Sequence, residues 1–243
     1  MLMFDIHCHI LPCVDDGSGS FVDSLEMAVL AAESGISGII ATPHCNIPGV
    51  FENFWSAEFD SKVKELNAAL SSRNIQVTVY PGQEVFACGD IINRLNNNNL
   101  ITLNHSRYLL TEFDFDTSEQ EMLKTLEMLR AQGYDPVVAH PERYLVFGEN
   151  PEAIRRIRSV GALVQVNSGS IKGSFGYYPE RSASYFLSNQ LADFVASDAH
   201  SQYMRTPELF QVHEIICENY SYEYADLLLD INPQRVINNK EIR

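Results

Sequence analysis

FDIHCHILPCVDDG, Phe4 to Gly17, begins as a strand and ends as a turn. Side chains of an extended strand alternate between faces, so the imidazoles of His7 and His9 share one face and Cys8 takes the other. Pro12 breaks the strand, and Asp15 and Asp16 arrive just before Gly17, within reach of both imidazoles. Two imidazoles and a carboxylate make part of a metal site. An HxH pair alone serves equally well as two strand histidines satisfied by hydrogen bonds, so the rest of the chain must decide.

Outward from this stretch, the chain alternates. Helical spacing of Leu25, Ala28, Val29 and Ala32 predicts a helix over 20–34 that stops at Gly35. A short apolar strand at 38–41 ends in Thr42-Pro43-His44, and a loop with Phe51, Phe54 and Trp55 leads to an amphipathic helix ending near Arg73. Those three aromatics either line a site or pack over that helix, and packing is expected first. Further strands are read at 77–80, 108–110, 136–139, 163–166 and 194–196, separated by helices at 90–96, 118–132, 151–160 and 181–189. A helix over 206–219 and two short helical pieces near Tyr224 and Val236 close the chain. Seven strands alternating with helices predict parallel strands covered by helices, as one domain over 1–243.

Periodicity does not separate a doubly wound sheet from a closed barrel, but the polar residues do. His7 and His9, His44, Glu84, Glu112, His140, and Asp198 with His200 stand at the carboxyl ends of six of the seven strands. A parallel barrel builds its active site there. The donors are imidazoles and carboxylates without a thiolate, a set suited to manganese, iron or zinc, and numerous enough for two or three ions. His105 and His213 have no partner motif and are read as structural or surface residues.

Composition narrows the classes. With 32 acidic and 17 basic residues the chain carries a net charge of −15, which repels a phosphate backbone and argues against nucleic acid as a partner. No apolar run approaches a membrane span and no signal-peptide pattern leads into His7, so a cytoplasmic protein without membrane insertion is expected. Five scattered cysteines without CxxC spacing read as reduced thiols. A cysteine-nucleophile phosphatase needs HCxxxxxR; Val14 and Phe51 stand at the Arg positions after the two His-Cys pairs, which excludes that mechanism. No GxGxxG or Walker loop implies a nucleotide cofactor.

HCHILPCVDDG, ATPH ending at His44, PGQEV around Glu84, LLTEF around Glu112, AHPERY from Ala139 and ASDAH ending at His200 together resemble the PHP family of metal-dependent phosphoesterases. More closely, the chain resembles the CpsB/CapC/YwqE-type bacterial protein tyrosine phosphatases of capsule and exopolysaccharide synthesis, over nearly its whole length. The resemblance implies a distorted (β/α)7 TIM-like barrel holding three divalent metal ions, manganese first, with iron, zinc or cobalt as alternatives. It implies one ion on His7, His9, Glu84 and Asp198, a second on Glu84, Glu112 and His140, and a third on Asp16, His44 and His200. Of the adjacent acids the match selects Asp16 over Asp15. Arg143 and Arg205 match phosphate-binding arginines, although each also reads as a rim ion pair, Arg205 more readily because its motif constrains it less.

Three divalent ions against four carboxylates and one hydroxide leave about +1 to receive a phosphate dianion. The implied reaction is attack on phosphorus by a metal-activated hydroxide, with both guanidinium groups on the phosphoryl oxygens. The implied substrate is a phosphotyrosyl protein, the tyrosine-rich tail of a bacterial tyrosine kinase. A small-molecule phosphatase acting on histidinol phosphate, or a non-catalytic regulator that binds the same tail, are the alternatives. Lys172 and the aromatics of the loop 170–178 either grip a peptide or pack.

Overall fold

The computed structural model describes residues 2–242; Met1 and Arg243 of the expected 1–243 domain lie outside them. The described residues form nine parallel-paired strands: β1 (Met3–Cys8), β2 (Ile36–Ala41), β3 (His44–Cys45), β4 (Thr78–Pro81), β5 (Glu84–Phe86), β6 (Tyr108–Glu112), β7 (Asp135–Ala139), β8 (Leu163–Asn167) and β9 (Phe194–Ala196). They make seven passes of the chain, because β2 with β3 and β4 with β5 are each one strand interrupted at Thr42-Pro43 or Gly82-Gln83. The order is β1-β2-β4 in one sheet and β3-β5-β6-β7-β8-β9 in the other. Beyond β9, a parallel bridge joins Cys8 to Ala199. His9 N donates to Ala199 O at 2.8 Å and Asp198 N to His7 O at 2.8 Å. The last pass thus returns to the first, and the ring is a distorted barrel.

A buried cluster of Ile6, Ile40, Leu110, Val137, Ala139, Phe194 and Ala196 draws on five strands, a mixture possible only inside the ring. Leu103, Tyr108 and Val236 belong to the same cluster. A second, larger cluster lies between the strands and the helices. The helix Ala57–Ser72 supplies Phe59, Val63, Leu66 and Leu70, four residues at the spacing that puts them on one face. The helix Glu119–Ala131 opens with a reciprocal capping box between Ser118 and Glu121.

Two expected helix starts shift. Helix Tyr177–Ser188 begins four residues before Arg181, because Gly176 turns the chain at φ 88° and Pro179 is tolerated in a first turn. Helix Phe210–Asn219 begins after Thr206-Pro207, since the Ser34 hydroxyl accepts from the backbone N–H of Leu209 (2.8 Å) and Phe210 (2.9 Å). The aromatic cluster also divides: Phe51 stacks on the His44 ring at 5.6 Å, Phe54 lies under Arg94, and Trp55 packs on the core. Among the described residues no helix is long and apolar enough to cross a membrane.

Candidate metal centre

The interrupted strands place the donors. His7 lies in β1, His44 opens β3, Glu84 opens β5 and Glu112 ends β6; His140 follows β7, and Asp198 and His200 follow β9. His140 and Asp198 hold positive φ (34° and 52°), as does Arg205 (52°), a region that residues with a Cβ seldom adopt. Such strain persists where the surroundings over-determine it, and it concentrates at functional sites. Here the Asp198 N–H is held by His7 O, and His140 N–H reaches Gln165 Oε1 at 3.3 Å.

Four buried donors converge first. His7 Nε2 and His9 Nε2 are 3.3 Å apart; each lies 3.2 to 3.4 Å from Glu84 Oε2 and Asp198 Oδ1. Donors arranged tetrahedrally around a divalent ion at about 2.0–2.1 Å stand about 3.4 Å from one another, so the spacing fits such an ion. The tautomers agree. His9 Nδ1 donates to Asp15 Oδ2 (2.6 Å) and His7 Nδ1 to Gln165 Oε1 (2.9 Å), which leaves each Nε2 lone pair pointing into the group.

Glu84 belongs to a second group with His44 and Glu112. His44 Nδ1 and Glu84 Oε2 face each other at 2.9 Å without hydrogen-bond geometry, and both are left buried and unsatisfied. A shared cation would satisfy the pair. His140 Nε2 approaches the same group, 3.0 Å from Glu84 Oε1 and 3.7 Å from Glu112 Oε1. The third group is His9, Asp16, His44 and His200, so His9 and His44 each stand between two groups.

The adjacent aspartates separate cleanly. Asp15 is covered and fully engaged: besides His9 it accepts from the N–H of His44 (2.8 Å) and Gly17 (3.0 Å). Burial opposes its charge, but the His9 imidazole and these N–H groups hold it ionised, down to about 2. Asp16 keeps a half-exposed side chain with Oδ1 3.7 Å from His44 Nε2 and 3.6 Å from His200 Nε2. The turn that parts them requires Gly17, where a Cβ would meet His9 O at 2.3 Å. Asp15→Asn is expected to weaken metal affinity about 10- to 100-fold with the fold intact, as loss of an imidazole's orienting carboxylate does. Titration of the metal-stripped variant with Mn²⁺ measures it; unchanged affinity would reduce Asp15 to a turn residue.

Burial would neutralise Glu84 and Asp198, yet the imidazoles around them, His7 foremost, hold both well below the usual carboxylate range. Against burial, Asp15 first and then Asp198 and Glu84 lift His9 well above its ordinary value, and Glu84 with Glu112 lifts His44 to about 10. His200 is driven down to about 3 by burial and by His9. The cluster is a concentrated negative charge that holds cations, whether protons or metal ions.

Arg143 and Arg205 reach the same place. Arg143 Nη1 lies 3.3 Å from Asp198 Oδ2, Arg205 Nη2 pairs with that oxygen too, and Asn167 Nδ2 donates to it at 2.6 Å. Arg205 is therefore paired with a member of the cluster rather than with a rim acid. His105 packs edge-on against Trp55, and His213 faces Asp226 at 3.4 Å; neither joins the groups. Gln165 and Asn167, whose side chains hydrogen-bond each other at 2.8 Å, are functional neighbours the motifs do not mark. Their signal is two amides alternating in an otherwise apolar strand. Glu142 is another: its Oε1 accepts from Asn167 N–H (2.9 Å) and Ser170 Oγ (2.6 Å).

A parallel barrel carrying such donors at its carboxyl rim falls in the class of metal-dependent barrel hydrolases. Within that class the chain belongs to the CpsB/CapC family, described as capsular polysaccharide synthesis, whose model matches residues 3–238. Tyrosine-protein phosphatase YwqE of Bacillus subtilis (strain 168) is 37% identical over 240 residues, 99% of this chain and 93% of that one. Tyrosine-protein phosphatase CpsB of Streptococcus agalactiae is 30% identical over 246 residues, 99% of this chain and 100% of that one. A crystal structure from work on YwqE of B. subtilis and CpsB of Streptococcus pneumoniae, described as unique metal-dependent tyrosine phosphatases, superposes with a TM-score of 0.92. The identity there is 36%, over 99% of this chain and 96% of that one.

Proposed function

We propose that this chain is a metal-dependent protein tyrosine phosphatase acting in the cytoplasm on the tyrosine-rich tail of a bacterial kinase that controls capsule or exopolysaccharide synthesis. The observation that carries the reading is the convergence of three imidazole and carboxylate groups on one carboxyl rim, with two guanidinium groups drawn to Asp198 of the first. His7, His9, Glu84 and Asp198 would hold one divalent ion, Glu84, Glu112 and His140 a second, and Asp16, His44 and His200 a third, manganese being the first choice. Bound divalent ions supply an acidified water as nucleophile and positive charge for the phosphoryl oxygens.

The chain's own residues do the rest. Arg143 and Arg205 present forked donors that exchange Asp198 Oδ2 for phosphoryl oxygens as the substrate enters. Asp15 and Gln165 keep the Nδ1 protons of His9 and His7 away from the ions. The leaving phenolate, with a conjugate acid near pKa 10, departs with little help from an acid. The thiols stay out of the chemistry: burial pushes Cys8 well above its ordinary value and Cys45 up to about 12.

A protein substrate is supported by the rim. Phe115, Leu145, Tyr177, Tyr178, Tyr203 and Met204 are all exposed on the segments that follow β6 to β9, around the cluster. Exposed apolar groups gathered at one site mark a surface for macromolecules, which a small polar phosphate ester does not need. The test compares kcat/KM on a phosphotyrosyl peptide with that on L-histidinol phosphate, using chelator-stripped protein reloaded with Mn²⁺. A ratio of at least about ten is expected, since a favourable side-chain contact or two contributes that much. A ratio below one would move the activity to small-molecule metabolism.

A further inference from the structure

The loop between the short helix Ser168–Ile171 and the helix Tyr177–Ser188 presents one partly buried aromatic residue, Phe175, between the two arginines. Arg143 Cζ lies 4.7 Å and Arg205 Cζ 5.9 Å from its ring centroid, although the arginines come from segments after different strands. Phe115 flanks Arg143 as well, at 4.9 Å. The Phe175 ring rests on Gly169, where a Cβ would fall 2.6 Å from Cε2 and 3.0 Å from Cζ. A glycine is therefore required beneath it. Ser174 N–H donates to Gly169 O at 2.9 Å, which closes the loop on that residue. Glu142, the neighbour of Arg143, accepts from Ser170 Oγ at 2.6 Å, so the turn carrying Arg143 and the loop carrying Phe175 are fastened together.

We infer that Phe175 is a positioning residue: its ring holds Arg143 and Arg205 over the cluster, so that both guanidinium groups are in place when phosphate arrives. A guanidinium uses its face for an aromatic ring and its edge for anions. With the edges on Asp198 Oδ2, the faces remain free for Phe175. When the edges transfer to phosphoryl oxygens, the contact with the ring persists and limits the side-chain freedom that would otherwise be lost on binding. Two flexible arginines then behave as one preorganised clamp.

The inference rests on the assignment of Arg143 and Arg205 to phosphate, and its test separates the two. The Mn²⁺-loaded wild type and the variants Phe175→Leu, Phe175→Tyr and Gly169→Ala are titrated calorimetrically with inorganic phosphate and assayed on p-nitrophenyl phosphate; metal content is measured alongside. Phe175→Leu is expected to lose about tenfold in phosphate affinity, the scale of one or two partly exposed cation–π contacts, with its ions retained. Phe175→Tyr should stay within about twofold of wild type, because the aromatic face is kept. Gly169→Ala, which displaces the ring while leaving it in the sequence, should resemble Phe175→Leu. Wild-type phosphate affinity in Phe175→Leu would make the ring simple apolar packing and overturn the inference. A wild type that neither binds phosphate nor turns over p-nitrophenyl phosphate would instead overturn the proposed function.

Discussion

Glu84→Gln is expected to lower kcat/KM by at least about three orders of magnitude and to leave the purified protein short of ions, because a ligand is lost where even an outer partner counts 10- to 100-fold. Four imidazoles meet this one carboxylate. Its Oε2 stands 3.2 Å from His7 Nε2, 3.3 Å from His9 Nε2 and 2.9 Å from His44 Nδ1, while Oε1 stands 3.0 Å from His140 Nε2. The amide keeps the shape but removes a full negative charge from two groups, and it turns an N–H toward nitrogen lone pairs or a cation. Arg143→Ala, by comparison, removes one donor to the phosphoryl group and should cost about 10² to 10³. Metal content by mass spectrometry, circular dichroism and turnover of p-nitrophenyl phosphate read the result together. A double variant with Asp198→Asn should be little worse than Glu84→Gln alone, since residues acting as a unit are not additive. A Glu84→Gln protein with wild-type metal content and rate would show that the groups do not share this carboxylate.

The ring of seven passes was legible because the strands are short and apolar and the helices keep their period, as in the helix read from Ser118 that the folded chain opens at Glu119. The clustering of the imidazoles and carboxylates was legible for a related reason: a His or Glu directly after an apolar strand has one place to go in a parallel barrel. What stayed hidden depends on contacts between distant segments. Asp15 and Asp16 are chemically identical neighbours, and only the turn closed by Ser18 N–H on His9 O (3.0 Å) sends one to His9 and leaves the other facing His44 and His200. Gln165 orients His7 across 158 residues of sequence. Ser34 sets the start of the helix at Phe210 across 176 residues. Phe175 reads as one more aromatic in a glycine-rich loop until Gly169, Arg143 and Arg205 surround it. Residue types and local spacing announce ligands, whereas the groups that aim the ligands are announced only by tertiary hydrogen bonds.

Stripping the protein with a chelator is expected to remove more than about 99% of its activity, and restoration by Mn²⁺ should itself depend on pH. The coupling follows from His44. Burial disfavours its charged form, but Glu84, and to a lesser extent Glu112, raise its pKa to about 10 in the ion-free protein. At pH 7 this imidazole therefore carries two protons, and it must give one up before a nitrogen lone pair can serve as a ligand. His200, held down at about 3, is already neutral there and releases nothing. Metal binding at pH 7 should thus expel protons, and apparent affinity should fall as the pH is lowered, by up to about tenfold per unit for each proton expelled. The part of the dependence that belongs to His44 should vanish once the pH exceeds about 10, where His44 is neutral without ions. Calorimetric titration with Mn²⁺ in two buffers of different ionisation enthalpy at pH 7 counts the protons directly, and repetition at pH 6 gives the slope. A binding heat independent of buffer, with equal affinity at both pH values, would mean that the ions do not displace the proton of His44. Full turnover after chelation would remove divalent ions from the reaction altogether, and with them the reason for placing imidazoles and carboxylates at six strand ends.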